Sequence, residues 1–339
     1  MAIYDVNGNV IIDDTDAVES YFEEEVADTI DKVRALQTEP CLTFFLCTDV
    51  HYASLDITTF PHTINNMKAV AKGVRADGII CLGDMTDGNV AQSTTIGRLN
   101  TIMPLMMNSG LPVYFTAGNH DCNAYVTNSN VFTTSQIYQY YYSRTKNEVF
   151  ADWTSHGVNF YKDFDEYKIR MISLDATNTD YGSTPHYRYP ENTVTWFTNL
   201  LPTTPAGYTV LLLTHLSPWA SHNWNNTVPN NATDVQTAIS SWAAVEGNTM
   251  VLLMGHTHAD FSFNNPILEI GFNCEKCDTA ITADVTVGPG EEWPEGSKRW
   301  RRVLGTVIED SWDAVVIRPI SRKINTIRFG AGEDREFTY

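Results

Sequence analysis

Basic residues are scarce in this chain. Across 339 residues only 22 Lys and Arg stand against 41 Asp and Glu, a formal net charge of −19. That balance excludes a protein that grips duplex nucleic acid or an anionic membrane through an extended basic surface. Also absent is any uninterrupted apolar stretch of the roughly 18 residues that mark a bilayer span, so no membrane insertion is expected. The opening MAIYDVNGNVIIDDTD has neither a basic n-region nor a long apolar h-region. This argues against a secretory signal and for a cytoplasmic location. Cysteine is sparse, and the lone Cys274-x-x-Cys277 has no second pair at zinc-site spacing. Cys41, Cys47 and Cys81 sit in or beside apolar runs, where a reduced thiol acts as a small hydrophobe. Neither a G-x-S-x-G elbow nor a Walker A loop occurs, which removes α/β serine hydrolases and P-loop enzymes.

What is present is enough to build a core: 43% of residues are hydrophobic and 12% aromatic. Residues 16–37 carry Val18, Phe22, Val26, Ile30 and Val33 at helical spacing, an acidic amphipathic helix closed by Pro40. Then a pattern recurs. Apolar runs over 42–48, 78–82, 111–116, 208–214 and 249–254 each lead into polar residues, and 168–174 ends likewise in Asp175. Continuous apolar runs of this length suit strands buried on both faces. Open α/β sheets place their sites beyond the carboxyl ends of such strands. Residues 61–75 and 93–108 are long enough for crossover helices. Residues 122–165 and 177–234 read as loop insertions, rich in Asn, Thr and Tyr, with 136–142 helical. Segments within 266–330 (ILEIGFN, RRVLGTVIE, DAVVIRPI, KINTIRF) read as further strands. The reading is an N-terminal acidic extension over 1–40, one domain over 41–330, and a C-terminal tail over 331–339.

The polar clusters are D-x-H (Asp49, His51), G-D-x-x-D (Asp84, Asp87), G-N-H-D (Asn119, His120, Asp121), His215, and G-H-x-H (His256, His258). Imidazole and carboxylate together suit zinc, iron and manganese. D-x-H and H-x-H have period 2, so on extended backbone both side chains point to one side. The groups are too many for one metal with an open position. Two metals about 3.5–4 Å apart sharing one carboxylate fit the count. His256-Thr257-His258-Ala259-Asp260 also fits the H-x-H-x-D of metallo-β-lactamase-like hydrolases, but Phe261 stands where that scheme needs His.

The order and composition of these clusters resembles the calcineurin-like metallophosphoesterase superfamily, the binuclear metallophosphatases, over residues 49–258. The resemblance implies an α/β fold, a four-layer αββα sandwich of two mixed β-sheets flanked by helices. It implies that Asp49, His51 and His258 hold one ion, that Asn119, His215 and His256 hold the other, and that Asp84 bridges them. The ions would be divalent or trivalent Mn, Fe or Zn. His120 would be the general acid, Asp121 would orient it, and Asp87 would support the ligands from behind. Asp121 replaces a glutamate common in the family, a variant frequent among its cyclic-nucleotide phosphodiesterases. The implied reaction is hydrolysis of a small phosphomonoester or phosphodiester by metal-bound hydroxide, without a covalent enzyme intermediate.

The loops offer His186, His222 and Trp219 as substrate-binding candidates, and Trp224 and Tyr187 as ring-stacking ones. The remaining histidines, His62 and His156, read as surface residues. The alternative function is a non-enzymatic scaffold on the same fold, which usually loses ligands that this chain keeps. The opening YDVNGN and closing RFGAGEDREFTY are similar to segments of bacterial and prophage-encoded phosphoesterases, which raises a phage-associated role.

Overall fold

The computed structural model describes residues 3–4, 10–12, 20–123, 131–143, 150–152, 158–177 and 187–339. Two mixed sheets lie face to face. The first has six strands in the order Arg335–Thr338, Lys323–Gly330, Ser311–Arg318, Leu42–Cys47, Gly78–Cys81, Val113–Phe115. The second has seven, in the order Phe261–Asn264, Leu268–Gly271, Thr249–Met254, Thr209–Thr214, Ile169–Leu174, Asn159–Phe164, Phe150–Asp152. Parallel pairing joins Leu42–Cys47, Gly78–Cys81 and Val113–Phe115 in the first sheet. In the second it runs from Ile169–Leu174 through Thr209–Thr214 and Thr249–Met254 to Leu268–Gly271.

Alternation along the strands sorts side chains between two cores. Leu211, Leu213, Val251 and Leu253 point toward the first sheet and share a core with Phe44, Ile79 and Val315. Their neighbours Val210, Leu212, Met250 and Leu252 point outward to Phe197, Val235 and Ile239. Those three come from the helices Glu191–Leu200 and Ala232–Ala243. Helices Glu23–Leu36, Phe60–Gly73 and Gln92–Met107 accompany the first sheet. The layers are helix, sheet, sheet, helix.

Several sequence expectations change here. The described part of 177–234 is not all loop: it holds the helix Glu191–Leu200, which buries Thr193, Phe197 and Leu200, and the start of the helix Ala232–Ala243, which buries Ala232, Val235 and Ile239. Their apolar residues are few but helically spaced, and the polar ones face outward. The RRVLGTVIE segment is not a strand. Arg302 turns inward to donate to the carbonyls of Cys274, Glu275, Ile308 and Glu309, which curls the backbone into turns and a short 3₁₀ helix. Nor is the C-terminus a free tail, because Arg335–Thr338 pairs with Lys323–Gly330 as an edge strand. The N-terminal helix begins at Glu23 and buries Val26, Thr29 and Val33, so it is part of the fold. Thr134–Ile137 and the π turn Tyr138–Tyr142 supply the helical stretch expected at 136–142. All six cysteines are free and buried. Among the described residues no helix is long and apolar enough to cross a membrane.

Candidate metal centre

The polar clusters emerge where parallel strands end, at the edge shared by both sheets. Just past the strands the backbone turns sharply. Asp49, His51, Asp84, His256 and His258 all have left-handed backbone, with φ of 52°, 43°, 57°, 69° and 53°. For non-glycine residues this costs about 1–3 kcal/mol each and persists only where surroundings enforce it. Here they do. Asp49 N–H donates to the Gly83 carbonyl and His51 N–H to that of Asp84, both at 2.9 Å. Asp49 Oδ2 accepts from Thr48 Oγ1 at 2.8 Å and from His256 N–H at 2.9 Å. Asp84 Oδ1 accepts from His120 N–H at 2.7 Å. Glycine is required at two crossings: a Cβ on Gly118 would strike the Asp84 carboxylate, and one on Gly255 would strike Thr48 and Asp49.

These turns bring the second carboxylate oxygens together with the imidazoles. Asp84 Oδ2 lies 3.2 Å from His215 Nε2, and 3.8 Å from both His51 Nε2 and His120 Nε2. Asp49 Oδ1 lies 3.2 Å from His258 Nε2 and 3.8 Å from His215 Nε2. His215 Nε2 is also 3.1 Å from Asn119 Oδ1, and His51 Nε2 is 3.2 Å from His258 Nε2. Two compact donor sets result, Asp49–His51–His258 and Asp84–His215–His256. A third, His51–Asp84–His120, links them at the mouth.

Backbone and carboxylate partners orient the rings. His215 Nδ1–H donates to the Leu82 carbonyl at 2.6 Å, which leaves its Nε2 facing Asp84 and Asn119. His51 Nδ1 meets Asp87 Oδ1 at 3.0 Å, which turns its Nε2 inward. Carboxylates and carbonyls in this position commonly fix the tautomer of a metal-binding imidazole. Two buried polar atoms, Asp49 Oδ1 and His256 Nε2, make no hydrogen bond. An unpartnered acceptor at full burial costs about 1–3 kcal/mol or more, so a set of them converging on one space calls for a cation.

The charge balance says the same. Burial pushes the Asp49 carboxyl up, but the His258 and His215 imidazoles outweigh it and hold it far below the usual carboxylate range. Asp84 behaves alike, with His215 and His120 overcoming burial. Burial works to lower His215, yet Asp84 and Asp49 push it up to about 9, so without metal a proton occupies the gap between these oxygens. His256, lowered to about 3 by burial and by His215, stays neutral. The donors are hard carboxylate and amide oxygens with borderline imidazoles, a set that fits two transition-metal ions.

A family profile for the calcineurin-like phosphoesterases matches residues 42–260. The chain belongs to the calcineurin-like phosphoesterase family. Among solved structures, a dimetal phosphatase from Danio rerio superposes with a TM-score of 0.62 at 14% identity, over 89% of this chain and 100% of that one. At that identity the likeness shows the shared fold. A phosphopantetheinyl hydrolase from Mycobacterium tuberculosis aligns with a TM-score of 0.40 at 12% identity, over 69% of this chain and 90% of that one. No curated protein matches the chain.

Within this calcineurin-like site, a cavity of about 260 Å³ opens above the metal centre. Asp84, Asn119, His120, His256 and His258 form its floor, and Tyr187 and Trp224 reach it from the second sheet's loops. A larger cavity, about 790 Å³, lies between Glu191–Leu200 and Ala232–Ala243 and contains none of the clustered residues.

Three expectations about side chains fail. Asp121 does not orient His120. Its carboxylate turns under the loops and accepts from the backbone N–H groups of Gly118, Asp84 and Met85 at 2.8–2.9 Å. Burial, then the Asp84 charge, pushes its carboxyl up to about 7 despite those donors. The Asp87 carbonyl takes the orienting part, 2.6 Å from His120 Nδ1. His222 is buried on the outer side of the second sheet, stacked on Phe263 at 3.9 Å and bonded to Glu269 at 2.9 Å. Trp219 packs beside it, not over the centre. His186 lies outside the described residues. The sequence reading missed Asp278, Glu292, Trp293 and Arg299, which complete the cavity wall. The signal was there in EEWPEGSKRWRR, where two Trp interleave with basic residues, but it lies beyond the last motif.

Proposed function

We propose that this family member hydrolyses a small phosphomonoester or phosphodiester at a centre of two transition-metal ions. The observation that carries this reading is the pair of fully buried carboxylates, Asp49 and Asp84, whose inner oxygens face imidazole nitrogens, that of Asp49 without a hydrogen bond. Asp49, His51 and His258 would hold one ion, Asn119, His215 and His256 the other, with Asp84 between them. When bound, two such ions offset phosphoryl charge and lower the pKa of water toward about 7.

His120 is placed to act on the leaving group. Its Nδ1–H is spent on the Asp87 carbonyl, so its Nε2 is the atom that faces the cavity floor. To donate there the ring must carry a second proton. Burial lowers its pKa to about 4, with Asp84 opposing and His51 adding to the fall. A phosphoryl anion seated beside the ring favours the charged form and opposes that shift. The protonated Nε2 then hands its proton to the departing alkoxide oxygen. Asp87 serves both sides of this arrangement, its carboxylate on His51 and its carbonyl on His120.

The deciding experiment is a hydrolysis screen with added Mn²⁺, run on p-nitrophenyl phosphate, bis-p-nitrophenyl phosphate, cyclic nucleotides and phospholipid diesters side by side. Turnover that a chelator abolishes supports the reading, and the preferred compound separates phosphatase from phosphodiesterase. A protein with two bound metals and no turnover of any compound would instead be a scaffold.

A further inference from the structure

Among the described residues, one cationic side chain other than the imidazoles lines the cavity above the centre, and that is Arg299. It sits on a short ribbon in which Val285–Thr286 pairs with Lys298–Arg299. Reciprocal backbone bonds between Asp260 and Lys298, each 2.8 Å, tie this ribbon to the second sheet. The guanidinium carbon lies over Trp293, 3.9 Å from the ring centroid. Stacking of this kind fixes the plane of the guanidinium while leaving its edge donors free.

Those donors make no hydrogen bond among the described residues, and their one charged contact is a long ion pair. Arg299 Nε is buried and has no hydrogen-bond partner. The Asp278 carboxylate is 3.9 Å from Nη2, beyond hydrogen-bonding distance. An arginine that is preorganised, half-buried and unspent has the planar fork that suits a carboxylate or phosphate. Among the described wall residues it is the one Lys or Arg, set opposite the acidic Asp278 and Glu292 of the same wall.

We propose that Arg299 reads a second anionic group on the substrate, a phosphate or a carboxylate, distinct from the phosphoryl group under attack. The proposal rests on the phosphoesterase reading and deepens it: the substrate is a phosphoester with two anionic groups. Tyr187 and Trp224 form the apolar part of the same wall. At about 260 Å³ the cavity is smaller than the roughly 300–1,000 Å³ of sites enclosing drug-sized ligands, so the two anionic groups would be close neighbours.

Two ligand pairs isolate the second anion. ADP and AMP differ by a phosphate, and O-phosphoserine and O-phosphoethanolamine differ by a carboxylate. Affinities are measured by calorimetry on the Mn²⁺-loaded protein. The wild type is expected to prefer the doubly anionic member of one pair by about 10–100-fold, the range for a charge-assisted hydrogen bond. The pair that shows the preference identifies the anion as phosphate or carboxylate. In Arg299→Gln the affinity ratio within that pair should collapse to about 1. No preference in either wild-type pair overturns the proposal, and so does a preference for phosphoethanolamine over phosphoserine with none for ADP. A ratio that survives in Arg299→Gln overturns it as well. The wild-type ratios can overturn the proposal even if the variant does not fold. Failure of the phosphoesterase reading shows separately, as absence of p-nitrophenyl phosphate turnover.

Discussion

Two of the clusters of buried carboxylates among the described residues are neutralised in opposite ways. Asp260 and Asp313 face Arg328, at 2.8 and 2.9 Å, with Arg335 3.3 Å from Asp260. Trp300 Nε1 and the Asn273 N–H complete the Asp260 shell, so its oxygens are bonded on every side. Asp49 and Asp84 have no arginine. Their inner oxygens face imidazoles whose other nitrogens are committed elsewhere, as His215 is to Leu82 and His51 to Asp87. The first cluster carries its own cation and is finished when the chain folds. The second has the same burial without an arginine, faces imidazoles instead, and would be completed by ions from outside. A third buried pair, Glu275 and Asp310, adopts another solution. Both meet the Thr63 hydroxyl, which donates its one proton to one carboxyl and accepts from the other. Burial, reinforced by Asp310 against an opposing Arg302, pushes Glu275 up to about 8, and burial pushes Asp310 up to about 6. That pair neutralises itself by holding a proton.

The contrast is broken or sharpened first by removing metal. Stripping the protein with a chelator should abolish turnover and lower stability by about 4 kcal/mol for each ion that had been present at about 1,000 times its dissociation constant. Calorimetry with and without Mn²⁺ reads this, and an unchanged unfolding temperature would mean the second cluster needs no external cation. Next in size is His120→Ala, expected to keep two metals per chain while turnover falls on the order of 10²–10⁴-fold. Unchanged rates on a substrate with a poor leaving group would remove His120 from proton donation. Arg328→Met should cost about 3–5 kcal/mol in urea unfolding, because it strands Asp260 and Asp313 without their cation. A variant as stable as the wild type would show that the two clusters do not differ as described.

The smallest effect is a pH dependence. Glu275 titrates higher in the folded chain than the ordinary glutamate value of 4.5, so the native state binds more protons between that value and about 8. Its contribution to stability is full below about 4.5 and declines as pH rises toward 8. Glu275→Gln, which mimics the protonated acid, should flatten the unfolding temperature between pH 5 and 8. An undiminished slope would assign that dependence to other groups.

The metal centre was legible in the sequence because each of its parts is local. An apolar strand, a turn and a polar cluster stand next to one another in the chain, and strand ends converge wherever parallel strands pair. The roles of side chains behind the centre were not legible. Asp121 adjoins His120, but its carboxylate is captured by amides of the Asp84 turn, a choice made by how two loops cross. His222 and Trp219 follow His215 closely, yet Glu269 and Phe263 on neighbouring strands hold His222 on the outer face. Arg299 reaches the cavity through a ribbon pairing that no periodicity announces. The edge strand Arg335–Thr338 lay too near the end of the chain to be read as more than a tail, although Arg335 and Phe337 are spaced for one face.

The metal centre is split between the sheets: Asp49, His51, Asp84 and Asn119 follow strands of the first, and His215, His256 and His258 follow strands of the second. Neither sheet alone can bind ions with the full set, so the ions select the chain only after the two layers have docked. An interaction absent until the last assembly step slows escape from the native state without hastening arrival. Ions bound there would rivet the sandwich as well as serve the chemistry, and would lengthen the time it stays closed.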